Sequence, residues 1–181
     1  MIPSNRLIST FVLNFNLANK FEFNNAYAFP YLDKVVLNSF VQDLDNPVSS
    51  QYLRSLLMVE SLATQKVIIK NVKKTLKGKK SYQVAVSHYV ILRKALLYNF
   101  FYFFVFFGLR GLEDKFLRIN HRLNDDGTFY FRLRDVTALP GLAEEFFRWP
   151  YSMDCFFVSK RISNHFFSKF FFRYLGFPFV H

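Results

Sequence analysis

The run Lys34 to Val41, KVVLNSFV, is dense in β-branched and apolar residues and lies between Pro30 and the turn-like segment Asp43 to Pro47, which predicts a strand. Ser49 and Ser50 can each cap a helix in which Tyr52, Leu56, Val59 and Ala63 recur at i, i+4, i+7 and i+11, joined by Leu53 and Leu62. That stripe predicts a helix packed on a core. Val67-Ile68-Ile69 and Tyr82 to Leu92 come next, and in the latter Tyr82, Val84 and Val86 alternate with Gln83, Ala85 and Ser87. With the Lys-rich turn around Gly78 they predict a β-hairpin arm over 64–92 with a long basic tip. Arg93 to Leu109 reads as a helix apolar on every side, hence a buried one. Asp125-Asp126-Gly127 marks a turn, Thr128 to Leu133 a strand and Asp154 to Ser159 another. Ser163 can cap a last helix with Phe166, Phe167, Phe170, Phe171, Tyr174 and Leu175 on one face, stopped by Gly176 and Pro178. Residues 1–20 read as an N-terminal extension or helix. Strands and helices in mixed order, without regular βαβ alternation, predict one α+β domain over 1–181, a mixed or antiparallel sheet packed by helices.

Composition sharpens this picture in two places. The 181 residues include 26 Phe and 10 Tyr but only 6 Gly and 6 Pro, so the chain is neither collagen-like nor a flexible linker. Its net charge is +11, and the surplus is concentrated: between Glu60 and Glu113 there is no acid, while Lys66, Lys70, Lys73, Lys74, Lys77, Lys79, Lys80, Arg93, Lys94 and Arg110 all fall there. Solubility does not require acids to be absent over such a length, so the segment points to a polyanion, nucleic acid before lipid.

Other chemistries find little support. Ala95 to Leu109 is apolar apart from Asn99, but fifteen helical residues span only about 22 Å of a hydrocarbon core about 30 Å thick. Residues 1–16 carry a single Arg and no small-residue cleavage pattern, so neither a secretory signal nor a transit peptide is expected. Cys155 is the one cysteine, which excludes a disulfide framework. His88, His121, His165 and His181 lack metal-ligand spacing. Gly78-Lys79-Lys80-Ser81 fails as a phosphate loop, because Lys73 stands where the first Gly belongs and Lys80 separates Lys79 from Ser81. No cofactor and no catalytic constellation is expected, and the chain reads as a binding protein rather than an enzyme.

The order of segments resembles the bacterial and organellar ribosomal protein L-five family of the large subunit, over about 160 residues. FEFNNAYAFPYLDKVVLN, Phe21 to Asn38, is similar to the opening V-P-x-hydrophobic-x-K run and its strand ending in L-N. TQKVIIKNVKKTLKGKK, Thr64 to Lys80, resembles the G-Q-K-P-x-x-x-x-A-R-K-S arm, and VILRK, Val90 to Lys94, the V-T-L-R strand end. DDGTFYFRLRD, Asp125 to Asp135, is similar to D-G-x-G-N-Y, SMDCFFVS to G-L-D-I-T-I-T, and LGFPF, Leu175 to Phe179, to G-M-P-F. Val67 replaces the arm's Pro, and Ile91 stands where the family has Thr.

The resemblance implies a structural, non-catalytic role in the central protuberance of the large ribosomal subunit. The implied partners are large-subunit rRNA, 5S rRNA where it is present, peptidyl-site tRNA and neighbouring ribosomal proteins, among them a small-subunit head protein; no small-molecule substrate is implied. Asn38, Gln65 and Arg93 match positions that face 5S rRNA in the family, with Lys66, Lys70 and Lys94 beside them for phosphate contacts. Lys73, Lys74, Lys77, Lys79 and Lys80 would form the tip directed at tRNA. Phe-rich extra surface and Phe excess fit a mitochondrial member, one encoded in that organelle included. Two other classes stay open: a peripheral membrane protein using the Lys run and Phe-rich segments on anionic lipid, and a standalone RNA-binding factor.

Overall fold

The computed structural model describes residues 4–23, 25–40, 50–74, 82–108, 121–124, 126–133, 136, 139, 152–162 and 165–177. Among them, six strands form one sheet: β1 (Tyr31–Phe40), β2 (Ile68–Lys74), β3 (Tyr82–Leu92), β4 (His121–Leu123), β5 (Thr128–Leu133) and β6 (Met153–Lys160). Their spatial order is β2-β3-β1-β6-β5-β4, and every pairing is antiparallel. Among the described residues four α-helices accompany the sheet, α1 (Ser4–Ala18), α2 (Ser50–Ala63), α3 (Lys94–Phe103) and α4 (His165–Tyr174), and α3 widens into a π turn at Phe104–Gly108. The α+β expectation holds, and the segment before residue 20 contains a helix.

Period-two alternation gives the sheet two unlike faces. Val35 and Leu37, Val90 and Leu92, Phe129 and Phe131, and Cys155 and Phe157 are buried, whereas their neighbours Val36, Ile91, Tyr130 and Phe156 are only half-buried. On the buried face the helices contribute Leu13 and Leu17, Met58 and Val59, Leu97 and Phe104, and Phe171 and Phe172 to one core. The Phe excess is spent here. Phe177 lies within 6.4 Å, centroid to centroid, of Phe101, Phe104, Phe129, Phe157 and Phe172, in the tilted and edge-on arrangements that aromatic quadrupoles favour. A Schellman turn delivers Phe177 to that position. Gly176 takes φ 96°, the Gly176 N–H donates to the Arg173 carbonyl, and the Phe177 N–H donates to the Phe172 carbonyl.

Three expectations need correction. The helix after Arg93 is not buried on every side, because Tyr102 and Phe106 are 40% and 45% exposed; a helix lying on one face of a sheet always has an outer stripe, here left apolar. Leu53 does not join the inward stripe of α2 but is half exposed beside Leu57, while Ser55 and Met58 face inward. β4 is a strand that the pattern does not predict, since three residues are too few to display an alternation. The turn at 43–47, the hairpin tip around Gly78 and the Ser163 cap lie outside the described residues.

Candidate nucleic-acid interface

The basic hairpin is the β2–β3 ribbon at one edge of the described sheet. Among the described residues β3 pairs with β1 from Ser87 to Leu92 and with β2 from Tyr82 to Tyr89, so residues 82–86 are described with β2 as their partner, and these two stretches are called the arm. Five residues of strand make that arm about 16 Å long. Its register slips by one residue between Lys70 and Asn71, a bulge that increases the local twist. Lys73 and Lys74 belong to the arm by pairing with Gln83 and Tyr82; Lys77, Lys79 and Lys80 lie outside the described residues.

The arm is held at its base through the buried face. Val67, just before β2, donates its N–H to Glu60 Oε1 at 3.0 Å, which ties the hairpin to α2. Beneath β3, His88 is fully buried and meets the Tyr52 ring of α2 edge-on at 5.6 Å. Burial pushes the His88 imidazole below its ordinary range, and the Ser55 backbone only partly offsets that. Cys155 is also fully buried, and desolvation, with some contribution from the Asp154 charge, raises its thiol far above the range of a nucleophile.

The other face carries the sequence-derived residues. Asn38 stands on central strand β1, opposite Tyr89 of β3 on one side and Asp154 of β6 on the other. Val36 lies opposite Ile91 and Phe156 in the next row, and Lys34 opposite Val158 beyond it. Arg93 follows the end of β3 at the parity of Ile91 and Tyr89, about 13 Å along the strand from the Asn38 row. Gln65 is half-buried in the turn between α2 and β2, next to exposed Lys66, and Lys70 is exposed on edge strand β2. The structure therefore spreads Asn38, Gln65 and Arg93 over three neighbouring strands and their ends rather than along one edge.

Charge on this face is asymmetric. Its acid Asp154 is buried and neutralised: Arg132 donates to it from Nε at 2.6 Å and from Nη2 at 3.0 Å, and the Tyr130 hydroxyl donates at 2.9 Å. Two guanidinium hydrogen bonds and the Asp154 charge raise the Arg132 pKa further. Asp33 is paired with Lys160 at 3.2 Å. Lys34, Lys66, Lys70, Arg93 and Lys94 make no ion pair among the described residues, so their charge is available to an outside anion.

Two features of the face escape a residue-by-residue reading of the sequence. Tyr89 is visible only by counting back in twos from Arg93. The clamp of Tyr130 and Arg132 on Asp154 joins residues of two strands 22 and 24 positions apart, and local patterning does not encode that register. Among the described residues no group of His, Cys, Asp and Glu is placed to hold a metal ion, and no helix is long and apolar enough to cross a membrane. The sequence matches no family model, and no curated protein matches it.

Proposed function

We propose that the chain is a structural constituent of a large ribosomal subunit, mitochondrial in origin, and that it acts by holding RNA rather than by chemistry of its own. The half-buried sheet face with Asn38, Lys34 and Arg93 would lie on rRNA, 5S rRNA where the ribosome has one, in the central protuberance. The hairpin arm would reach towards peptidyl-site tRNA. The observation that carries this reading is the arm itself: an antiparallel β2–β3 hairpin at one edge of the described sheet, within a segment of ten cations and no acid. Lys73, Lys74, Lys77, Lys79 and Lys80 crowd like charges into one short stretch of chain, and RNA phosphate would supply the missing counter-charge. Phe11 and Phe15 on α1 and Phe166 on α4 are 71%, 68% and 60% exposed, which suits a subunit with protein neighbours better than a protein that works alone.

Sucrose-gradient fractionation of a native lysate, probed with an antibody to the chain, tests the proposal. Co-sedimentation with large-subunit rRNA, resistant to moderate salt, is expected. Recovery only at the top of the gradient would sink it.

A further inference from the structure

On the outer face of the sheet one aromatic side chain lacks a partner among the described residues. The Tyr89 side chain makes no ring contact, cation contact or hydrogen bond there, although its backbone is paired with both β1 and β2. Opposite it, Asn38 keeps its Oδ1 out of water without a hydrogen bond, an arrangement that costs about 1–3 kcal/mol in a buried acceptor. On the β2 side of Tyr89, Ile68 is next to it and 48% exposed, and along the same strand it is flanked by Lys66 and Lys70, both exposed and without an ion pair among the described residues. Asp154, the acid that faces Asn38 from β6, is already clamped by Arg132 and so does not repel a phosphate.

We propose that Tyr89, beside Asn38, forms a seat for one unpaired nucleobase of RNA, the Tyr89 ring stacking on the base, with Lys66 and Lys70 on the flanking phosphates. The assignment rests on the RNA-binding reading above and adds to it a ligand class, an unstacked base rather than duplex backbone. A ring without an aromatic neighbour offers the π-face that any base can use. A base-paired helix could meet the lysines but could not put a base on Tyr89.

The test uses the purified full chain with a fluorescein-labelled 12-nucleotide single-stranded RNA and a 12-base-pair RNA duplex, each titrated over a range of salt. Tyr89→Leu is expected to weaken single-strand binding at least about five-fold, the low end of what one stacked base supplies, with an unchanged salt slope and unchanged duplex affinity. Tyr89→Phe should keep single-strand affinity within about two-fold, because it keeps the ring, and near-wild-type thermal unfolding of both variants excludes misfolding. Lys66→Ala with Lys70→Ala should lower affinity for both RNAs and flatten the slope. Ultraviolet crosslinking of the single strand should mark Tyr89 by mass spectrometry. Equal losses on single strand and duplex for Tyr89→Leu, or none on either, would overturn the base seat while leaving RNA binding intact; no binding of either RNA by the wild-type chain would instead overturn the RNA reading itself.

Discussion

At the scale of single residues, the consequential groups are those whose surroundings oppose their nature. His88 is an imidazole buried without the hydrogen bonds that would compensate it, and its pKa is lowered chiefly by desolvation. The unfolded chain takes a proton near pH 6.5, its ordinary value, while the folded chain resists until a lower pH. Stability from this source is therefore complete above about pH 6.5 and is lost as the pH falls, by at most about 1.4 kcal/mol per pH unit. Urea unfolding at pH 7.5 and 5.5 should show this loss in the wild type and a smaller one in His88→Leu. Thr64 is opposed by its backbone. It follows the last residue of α2 with φ 50°, a conformation that crowds a β-branched side chain. The G-Q-K-P pattern that Thr64 to Val67 resembles begins with the residue suited to that position. Thr64→Gly should relieve about 1–2 kcal/mol of strain against about 0.5–1 kcal/mol of extra chain entropy, raising the melting temperature by about 1–3 °C in a thermal scan.

At the scale of elements, the legible parts of the fold were those with an uninterrupted period. The stretches Tyr82 to Leu92 and Thr128 to Leu133 match β3 and β5 in their bounds, and α2 begins at Ser50, within the stretch where the sequence predicts a helix start. Less legible were elements whose polar contrast is weak: α1 alternates Asn with apolar residues and has Phe11 and Phe15 outside as well as Leu13 and Leu17 inside. Half of the candidate interface was legible in the same sense, since Asn38 and Arg93 were found from segment resemblance, while the Asp154 clamp depends on the pairing Arg132↔Asp154. The β4–β5 hairpin shows how one turn residue secures such a register. Gly127 takes φ 79°, accepts hydrogen bonds from the Ser159 N–H and hydroxyl through its carbonyl, and would set a Cβ 2.7 Å from Ser159 Oγ and 3.1 Å from Ile162 Cβ. Both the φ and the clash penalise a side chain, so Gly127→Ala should lower stability by about 2–3 kcal/mol in chemical denaturation. Because β5 presents Tyr130 and Arg132 to Asp154, the same variant should also weaken RNA binding under the proposed function.

At the scale of the whole molecule, the chain combines an apolar core closed by its own packing with a segment in which ten cations face no acid in sequence. Among the described residues the buried Phe cluster lies behind the sheet, whereas the β2–β3 hairpin carries Lys73 and Lys74. Under the proposed function the five lysines Lys73, Lys74, Lys77, Lys79 and Lys80 contact tRNA backbone without reading sequence, since an ammonium group is a point charge matched to phosphate. Binding through such contacts is driven by counterion release. If about four phosphates are neutralised, log K should fall with log salt with a slope of about −3 to −4, and each Lys→Ala change should reduce that slope by about one. Replacing all five by Ala should leave the core, and hence subunit assembly in gradients, intact, because the core described behind β1 and β3 is built from apolar side chains of the strands and helices. Peptidyl-site tRNA should then dissociate faster from the assembled subunit at every salt concentration, with identity of the tRNA making no difference. If tRNA dissociation and salt slope stayed at wild-type values while the variant subunits assembled normally, the arm would have to neutralise a different polyanion, and rRNA beside the sheet would be the one its charge fits.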